Sequence, residues 1–169
     1  QFCNPEKLLS LDAFQLNNNS KNKNIKDIFS EARGRQLSKE EHKKLFAQCK
    51  EMKIDYLCSA FDLGSLKFLN EDINLKKFKI PSGEIFSLDM LKYIREQDKP
   101  IILSTGMATF DEIEKSINYL NLNERKDIKL LHCISNYPTS PDEVNMRVMQ
   151  ELKKRFKYPV GFSDHTIDN

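Results

Sequence analysis

The chain has 169 residues, 39% of them hydrophobic and 31% charged, which is enough apolar material for one ordinary domain with a soluble surface. Its 27 basic and 25 acidic residues leave a net charge of +2, far short of the basic excess that binding a phosphate backbone requires, so no nucleic acid is expected. No apolar run approaches the roughly 18 residues needed to cross a bilayer, no secretory leader is read, and no membrane partner is expected.

In chain order, residues 4–35 read as a long exposed loop, because the tract from Asn17 to Asn24 is polar throughout and has nothing to bury. Ser38-Lys39-Glu40-Glu41 is a capping box, predicting a helix to about Lys53 that buries Leu45, Cys49 and Met52. A strand is predicted over Ile54 to Ala60 and a short helix over Asp62 to Asn70. Phe78 to Ser82 is the second strand, and Ser87 caps a helix carrying Met90, Leu91 and Ile94. Pro100 to Thr105 is the third strand, followed by a capping box at Thr109 and a helix burying Ile113, Ile117 and Leu120. Lys129 to Ser135 is the fourth strand. Ser140-Pro141-Asp142-Glu143 is a further capping box, opening a helix with Val144, Val148 and Leu152 on its inner face. Pro159 to Ser163 is the fifth strand.

Strands recur every ~22–30 residues, room for one crossover helix each, which predicts a parallel α/β sheet. Several strand cores are continuously apolar, as in sheets covered on both faces. The alternatives are an open doubly wound sheet and a (β/α)8 TIM-barrel. A barrel is favoured because every strand ends in reactive side chains, whereas an open sheet concentrates its site at a switch point.

The strand ends supply Ser59; then Lys79, Ser82, Gly83 and Glu84; then Ser104, Thr105 and Gly106; then Ser135, Asn136 and Tyr137; then Ser163, Asp164 and His165. Hydroxyls around a lysine form a cradle for a phosphate or carboxylate. Gly83 and Gly106 are expected to let the backbone approach a ligand. His165 is a candidate metal ligand. A single strand-end serine is ordinarily a turn former or cap, and Lys79 alone reads equally as a solvated side chain; it is the convergence that points to a site. His42, in a Lys/Glu-rich stretch, is expected at the surface, and His132 in the core by strand parity. The four cysteines at 3, 49, 58 and 133 match no metal module. Cys58 and Cys133 are expected as reduced, inert core residues, which fits the cytoplasm.

At these same positions the sequence resembles the sialic acid synthase family, of the N-acetylneuraminate and legionaminate synthase type. The resemblance is carried by Lys79-Ile80-Pro81-Ser82-Gly83-Glu84, Ile102-Leu103-Ser104-Thr105-Gly106-Met107, Leu131-His132-Cys133-Ile134-Ser135-Asn136-Tyr137-Pro138 and Gly161-Phe162-Ser163-Asp164-His165-Thr166. It implies an incomplete (β/α)8 barrel over residues 1–169, from the end of the second strand through about the third to seventh, without the family's C-terminal antifreeze-like domain. The opening Gln1-Phe2 and the ending Asp168-Asn169 likewise suggest a fragment, expected to be inactive alone.

The implied activity is condensation of phosphoenolpyruvate with N-acetylmannosamine or a diacetamido relative, releasing phosphate. The resemblance implies that Ser59, Lys79, Ser82, Ser104, Ser135 and Ser163 hold phosphoenolpyruvate, and that Glu84 and Tyr137 face the sugar. Ser59 and Ser135 depart from some members, which carry threonine and asparagine there. His165 would bind Mn2+ or Mg2+ with a second histidine outside this chain, and the full-length protein would be a homodimer. Two rivals remain open: a Schiff-base aldolase with Lys79 as the amine, and a non-catalytic barrel fragment that only binds a phosphorylated ligand.

Overall fold

The computed structural model describes residues 2–5, 30, 33–120 and 127–167. They fall into two compact units, Gln1–Leu75 and Lys76–Asn169.

In the first unit, α1 (Lys39–Glu51) starts as the capping box predicts: the Glu41 amide donates to the Ser38 hydroxyl at 3.2 Å, and the Ser38 amide donates to the Glu41 carboxylate at 2.7 Å. The buried face differs from expectation. Leu45 and Met52 are 39% and 63% exposed, and the line that packs is His42, Phe46 and Cys49, one stripe of the helix. His42, expected at the surface, is buried at 2% exposure: Tyr56 hydroxyl meets its Nδ1, and Phe2 packs edge-on at 4.5 Å between ring centroids. Asp62 caps α2 (Leu63–Glu71), accepting from the Ser65 amide at 3.0 Å and the Ser65 hydroxyl at 2.6 Å. A third donor, the Asn4 amide at 2.7 Å, ties the Phe2–Asn4 segment to this cap.

The strand expected over Ile54 to Ala60 does not form. Within the first unit its ladder is a single parallel bridge, Phe2 to Ala60, and Ile54 and Leu57 stand 55% and 42% exposed. An apolar run without a paired neighbour has no ladder to satisfy its amides and stays irregular. Most of the expected 4–35 loop lies outside the described residues; within it Pro5, Ser30, Arg33 and Gly34 are helical.

The second unit carries the parallel sheet that the apolar strand cores predict. Its strands are β1 (Phe78–Ile80), β2 (Ile101–Ser104), β3 (Ile128–Cys133) and β4 (Val160–Ser163), ordered 1-2-3-4 with every pair parallel. One helix crosses between each pair: α3 (Leu88–Arg95), α4 (Phe110–Leu120) and α5 (Arg147–Phe156). The strand order never reverses among the described strands, so there is no switch point of the open doubly wound kind.

Register assigns the faces. Phe78, Ile101 and Ile128 align, as do Ile80, Leu103 and Leu130; all six are at most 1% exposed. Met90, Leu91, Ile94, Ile113, Ile117, Leu120 and Leu152 from the helices are buried too. This is the helix-covered core face. Truncating one of these residues, such as Leu103→Ala, removes transfer energy and leaves a cavity, at ~2–5 kcal/mol.

Two of the expected caps in this unit fail. The capping box at Thr109 forms, but the Ser87 hydroxyl turns away from α3 and donates to the Glu84 carboxylate. Ser140-Pro141-Asp142-Glu143 makes a 3-10 turn over Pro141–Glu143 rather than opening a helix. The Ser140 hydroxyl binds Asp142, and Glu143 accepts from Asn136 at 3.2 Å, so neither side chain is left to cap; α5 begins only at Arg147.

His132 lies on the core face, 5% exposed, beside Phe162 at 5.7 Å between centroids, as parity predicts. Burial lowers its pKa below the ordinary 6.5. Above pH 6.5 the imidazole is neutral in both folded and unfolded chains. As pH falls below that value the unfolded chain takes up a proton that the folded one resists, so stability is lost until the depressed pKa is passed. His42, lowered by burial as well, adds to the same trend. Thermal melts at pH 7.5 and 5.5 are expected to show a lower Tm at the acid value, with a smaller gap in His132→Gln; an unchanged gap in that variant removes His132 from the account.

Candidate functional site

The second face of the sheet carries the chemistry. Lys79 aligns with Ile102, two residues before Ser104; Ser104 aligns with Leu131 and Gly161; and Cys133 aligns with Ser163. Side chains two apart in a strand share a face, so Lys79, Ser104, Cys133 and Ser163 project to one side, opposite the helices. The loops leaving the same strand ends bring Ser82, Glu84, Gly106, Ser135, Tyr137 and His165 to that end of the sheet.

Lys79 is half-buried and donates through Nζ to the Ser104 hydroxyl at 2.6 Å. Burial lowers its pKa from the ordinary 10.5, with nearby Cys133 acting weakly in the opposite sense. A desolvated ammonium with one hydroxyl partner lacks counter-charge, so an arriving anion is favoured there. Ser104 is 3% exposed and held against the lysine.

The Ser135 hydroxyl is buried and has no hydrogen-bond partner among the described residues. An unmet buried hydroxyl costs about 1–3 kcal/mol, and a ligand oxygen is the natural remedy at the mouth of a strand. Gly106 explains why it stays where it is. A Cβ at Gly106 would lie 2.9 Å from the Ser135 hydroxyl, 2.8 Å from the Cys133 sulfur and 3.0 Å from the Cys133 carbonyl oxygen. The glycine is thus a requirement of close packing against β3. Gly83 has open space around it and no such requirement.

Thr105, read from the sequence as one of the cradle hydroxyls, is committed elsewhere: its hydroxyl and amide both donate to the Leu131 carbonyl, at 3.1 and 3.0 Å. Ser82 opens the 3-10 turn Ser82–Glu84 immediately after β1, and Glu84 in that turn accepts from Ser87. Ser59 belongs to the first unit, where its carbonyl accepts the Phe2 amide at 2.9 Å.

The end of β4 is tied to the loop after β3. Thr139 and Thr166 form a parallel bridge, and the Thr139 amide donates to the His165 carbonyl at 2.9 Å. The His165 ring stacks on Tyr137, 4.1 Å between centroids and 28° between planes. Its Nδ1 lies 2.6 Å from the Ile134 carbonyl oxygen. A carbonyl only accepts, so Nδ1 carries a proton, and in the neutral tautomer the lone pair is on Nε2. Tyr137 hydroxyl and Ser163 hydroxyl approach Nε2 at 3.1 and 3.3 Å. A neutral imidazole fixed through Nδ1–H to a carbonyl is the arrangement of a metal-ligating histidine. Asp164 is occupied in a local turn, accepting the Thr166 amide at 2.9 Å, and that bond leads the causes that lower its pKa. Among the described residues no group of three or more His, Cys, Asp or Glu side chains is placed to hold an ion.

Cys133 is a buried free thiol, at 4% exposure, as expected of a small hydrophobe. Register adds its direction: it aligns with Ser163 and packs close to Gly106 on the site face. The same strand parity that turns His132 toward the helices turns its neighbour toward the site.

A profile of the NeuB family matches residues 1–169. The chain is 50% identical over 133 residues to the N,N'-diacetyllegionaminic acid synthase of Campylobacter jejuni, covering 78% of this chain and 40% of that protein. It is 33% identical over 133 residues to the N-acetylneuraminate-9-phosphate synthase of Drosophila melanogaster, covering 78% of this chain and 36% of that protein. The crystal structure of N-acetylneuraminic acid (sialic acid) synthetase from Leptospira borgpetersenii, in complex with citrate, superposes with a TM-score of 0.82 at 25% identity, over 97% of this chain and 52% of that one. The chain therefore spans about half or less of the relatives it matches.

Proposed function

The chain belongs to the NeuB family, and from that premise we propose that it forms the phosphoenolpyruvate-holding arc of a (β/α)8 barrel in a sialic-acid-type synthase. The whole protein would condense phosphoenolpyruvate with an N-acetylated amino sugar to a nonulosonic acid, releasing phosphate. The single observation that supports this most is the anion-ready pair on one sheet face: a half-buried Lys79 beside Ser104, and a buried Ser135 hydroxyl with no partner.

In this reading the Lys79 ammonium and the hydroxyls of Ser82, Ser104, Ser135 and Ser163 bind the phosphate and carboxylate of phosphoenolpyruvate. Held there, the enol carbon C3 attacks the aldehyde carbon of the open-chain sugar, water adds at C2, and the C2–O bond to phosphate breaks. Lys79 and the serine donors stabilise the charge on the departing phosphate. Tyr137 and Glu84 face the sugar, and Tyr137 also holds the His165 ring by stacking. His165 would hold a divalent ion, Mn2+ or Mg2+, through Nε2; when bound, the ion supplies Lewis-acid polarisation of the sugar carbonyl. The whole protein is proposed to act as a homodimer in the cytoplasm. All four cysteines are free thiols, which fits a reducing compartment, and no helix among the described residues is long and apolar enough to cross a membrane.

One observation favours a second reading. A desolvated lysine with a lowered pKa is also what a Schiff-base aldolase uses. A third possibility is that the fold binds a phosphorylated ligand without chemistry. One assay separates all three. The whole protein carrying this chain is given phosphoenolpyruvate, Mn2+ and either N-acetylmannosamine or the diacetamido sugar of legionaminate synthesis. Phosphate release dependent on one of these sugars is expected. A borohydride-trapped adduct on Lys79 with a keto acid would replace this reading by the aldolase. Tight binding of phosphoenolpyruvate with no phosphate release under any condition would leave only the binding role.

A further inference from the structure

We propose that Cys133 and Gly106 act as a packed pair that positions the Ser135 hydroxyl for the anion, making Cys133 a positioning residue of the site rather than an inert core thiol. The inference rests on the reading of this face as an anion cradle, and it names two residues which that reading leaves unused.

The argument begins with the unmet hydroxyl. A serine has one rotatable bond before its oxygen, and a buried hydroxyl with no partner normally rotates to find one. The Ser135 hydroxyl is left with no partner among the described residues, and close packing restricts it on the Gly106 side. On one side lies the Gly106 backbone, close enough that a Cβ there would come within 2.9 Å of the oxygen. That same Cβ would meet the Cys133 sulfur at 2.8 Å and the Cys133 carbonyl oxygen at 3.0 Å. Gly106, on the β2 end, therefore packs closely against both Cys133 and Ser135, which stand two residues apart on the β3 end.

Gly106 is not required for its backbone angles. The turn from Thr105 to Ala108 closes with the Ala108 amide on the Thr105 carbonyl at 3.2 Å, and the position with positive φ, 67°, is taken by Met107. A turn of this kind ordinarily places its glycine where φ is positive. Here the glycine precedes that position, where only steric contact with Cys133 and Ser135 calls for it. Met107 adopts the left-handed conformation that glycine usually fills. The loop thus tolerates local strain while keeping its close approach to β3.

Cys133 is suited to this place by size. Sulfur is larger than a hydroxyl oxygen and smaller than a branched side chain, so it packs against Gly106 where a branched side chain would crowd the loop. Register sets it on the site face, aligned with Ser163 of the neighbouring strand. Removing its bulk lets the Gly106 loop settle and frees Ser135 to rotate. Adding a methyl at Gly106 pushes the hydroxyl aside.

The test uses the whole protein carrying this chain, with Cys133→Ala, Cys133→Ser and Gly106→Ala. Cys133→Ala and Gly106→Ala are expected to raise KM for phosphoenolpyruvate about tenfold, the effect of misplacing one hydrogen bond to a charged group, with KM for the amino sugar held. Cys133→Ser, nearest in shape, is expected to recover most of the loss. The proposal is overturned if KM for phosphoenolpyruvate is unmoved in Cys133→Ala, or if both KM values rise together, as a merely structural defect would produce. Inorganic phosphate binding, followed by phosphorus-31 line broadening, is read in parallel. Weaker phosphate binding in Cys133→Ala upholds the positioning role even if the wild-type protein catalyses no condensation, which would sink only the proposed reaction. Equal phosphate binding in wild type and Cys133→Ala overturns the positioning role itself.

Discussion

Lys79→Ala in the whole protein is expected to lower kcat/KM for phosphoenolpyruvate by about 10²–10³-fold, the scale of losing one preorganised donor at a developing charge. The expectation follows from where the lysine sits. It is half-buried on the site face, donates to Ser104 at 2.6 Å, and has its pKa lowered by burial. A lysine on a solvated surface would lose little when truncated, because water screens what it contributes. The sign of the pH dependence follows too. The ammonium must be charged to hold the anion, and it is charged below its pKa. Affinity for phosphoenolpyruvate should therefore fall as pH rises, beginning at a lower pH than an ordinary lysine value of 10.5 would give. Bound anion opposes this by restoring the charged form, so the decline should be steeper in kcat/KM, which reports the free enzyme, than in kcat. Lys79→Arg keeps the charge but changes its shape and reach, and should retain more activity than alanine. An alanine variant with full kcat/KM would remove the lysine from the cradle. A loss equal in arginine and alanine variants, with borohydride trapping in the wild type, would point to the amine as a nucleophile.

Much of this site was legible in the sequence, and the reasons are local. In a parallel sheet covered on one face by helices, each strand is a short apolar run whose last residues turn polar at the ligand end. Ser104 and Ser163 were legible because they terminate such runs, Lys79 because it is a charge set between two apolar strand residues, and Thr109-Phe110-Asp111-Glu112 because a capping box needs only four neighbouring residues. What escaped depended on neighbours distant in sequence. The Ile54 to Ala60 segment has the composition of a strand, but its first-unit ladder is one bridge to Phe2, and no local pattern records whether a partner is present. Ser140-Pro141-Asp142-Glu143 has the letters of a capping box, yet Glu143 is drawn off by Asn136. His42 reads as a surface residue among lysines and glutamates, but Phe2, Tyr56 and Phe68 close over it from elsewhere in the first unit. Cys133 was legible as buried but not as facing the site, because composition gives burial while only register gives direction.

His165→Ala is expected to abolish activation by Mn2+, lowering activity at a fixed metal concentration by about 10²-fold or more, beyond the 10–100-fold usual for losing an outer-shell partner. The physical reason is the fixed tautomer. Nδ1 is committed to the Ile134 carbonyl at 2.6 Å, so the ring cannot turn to present the other nitrogen, and Nε2 is the one lone pair it offers. Tyr137 stacked at 4.1 Å and the Thr139–His165 backbone bond keep the ring from swinging out of place. Tyr137→Phe is the informative companion. It keeps the stacked ring and removes only the hydroxyl that approaches Nε2 at 3.1 Å. If that hydroxyl competes with a metal for the lone pair, Tyr137→Phe should bind Mn2+ at least as well as wild type while His165→Ala does not. The measurement is metal-stripped protein titrated with Mn2+, following both activity and the paramagnetic relaxation of water protons. Relaxation reads ion binding even where turnover is lost. His165→Ala protein that binds and responds to Mn2+ as wild type does would move the metal away from the end of β4. Retained phosphoenolpyruvate binding in His165→Ala is the other expected half of the result, since the contacts proposed for the anion are Lys79 and the serines and not the imidazole.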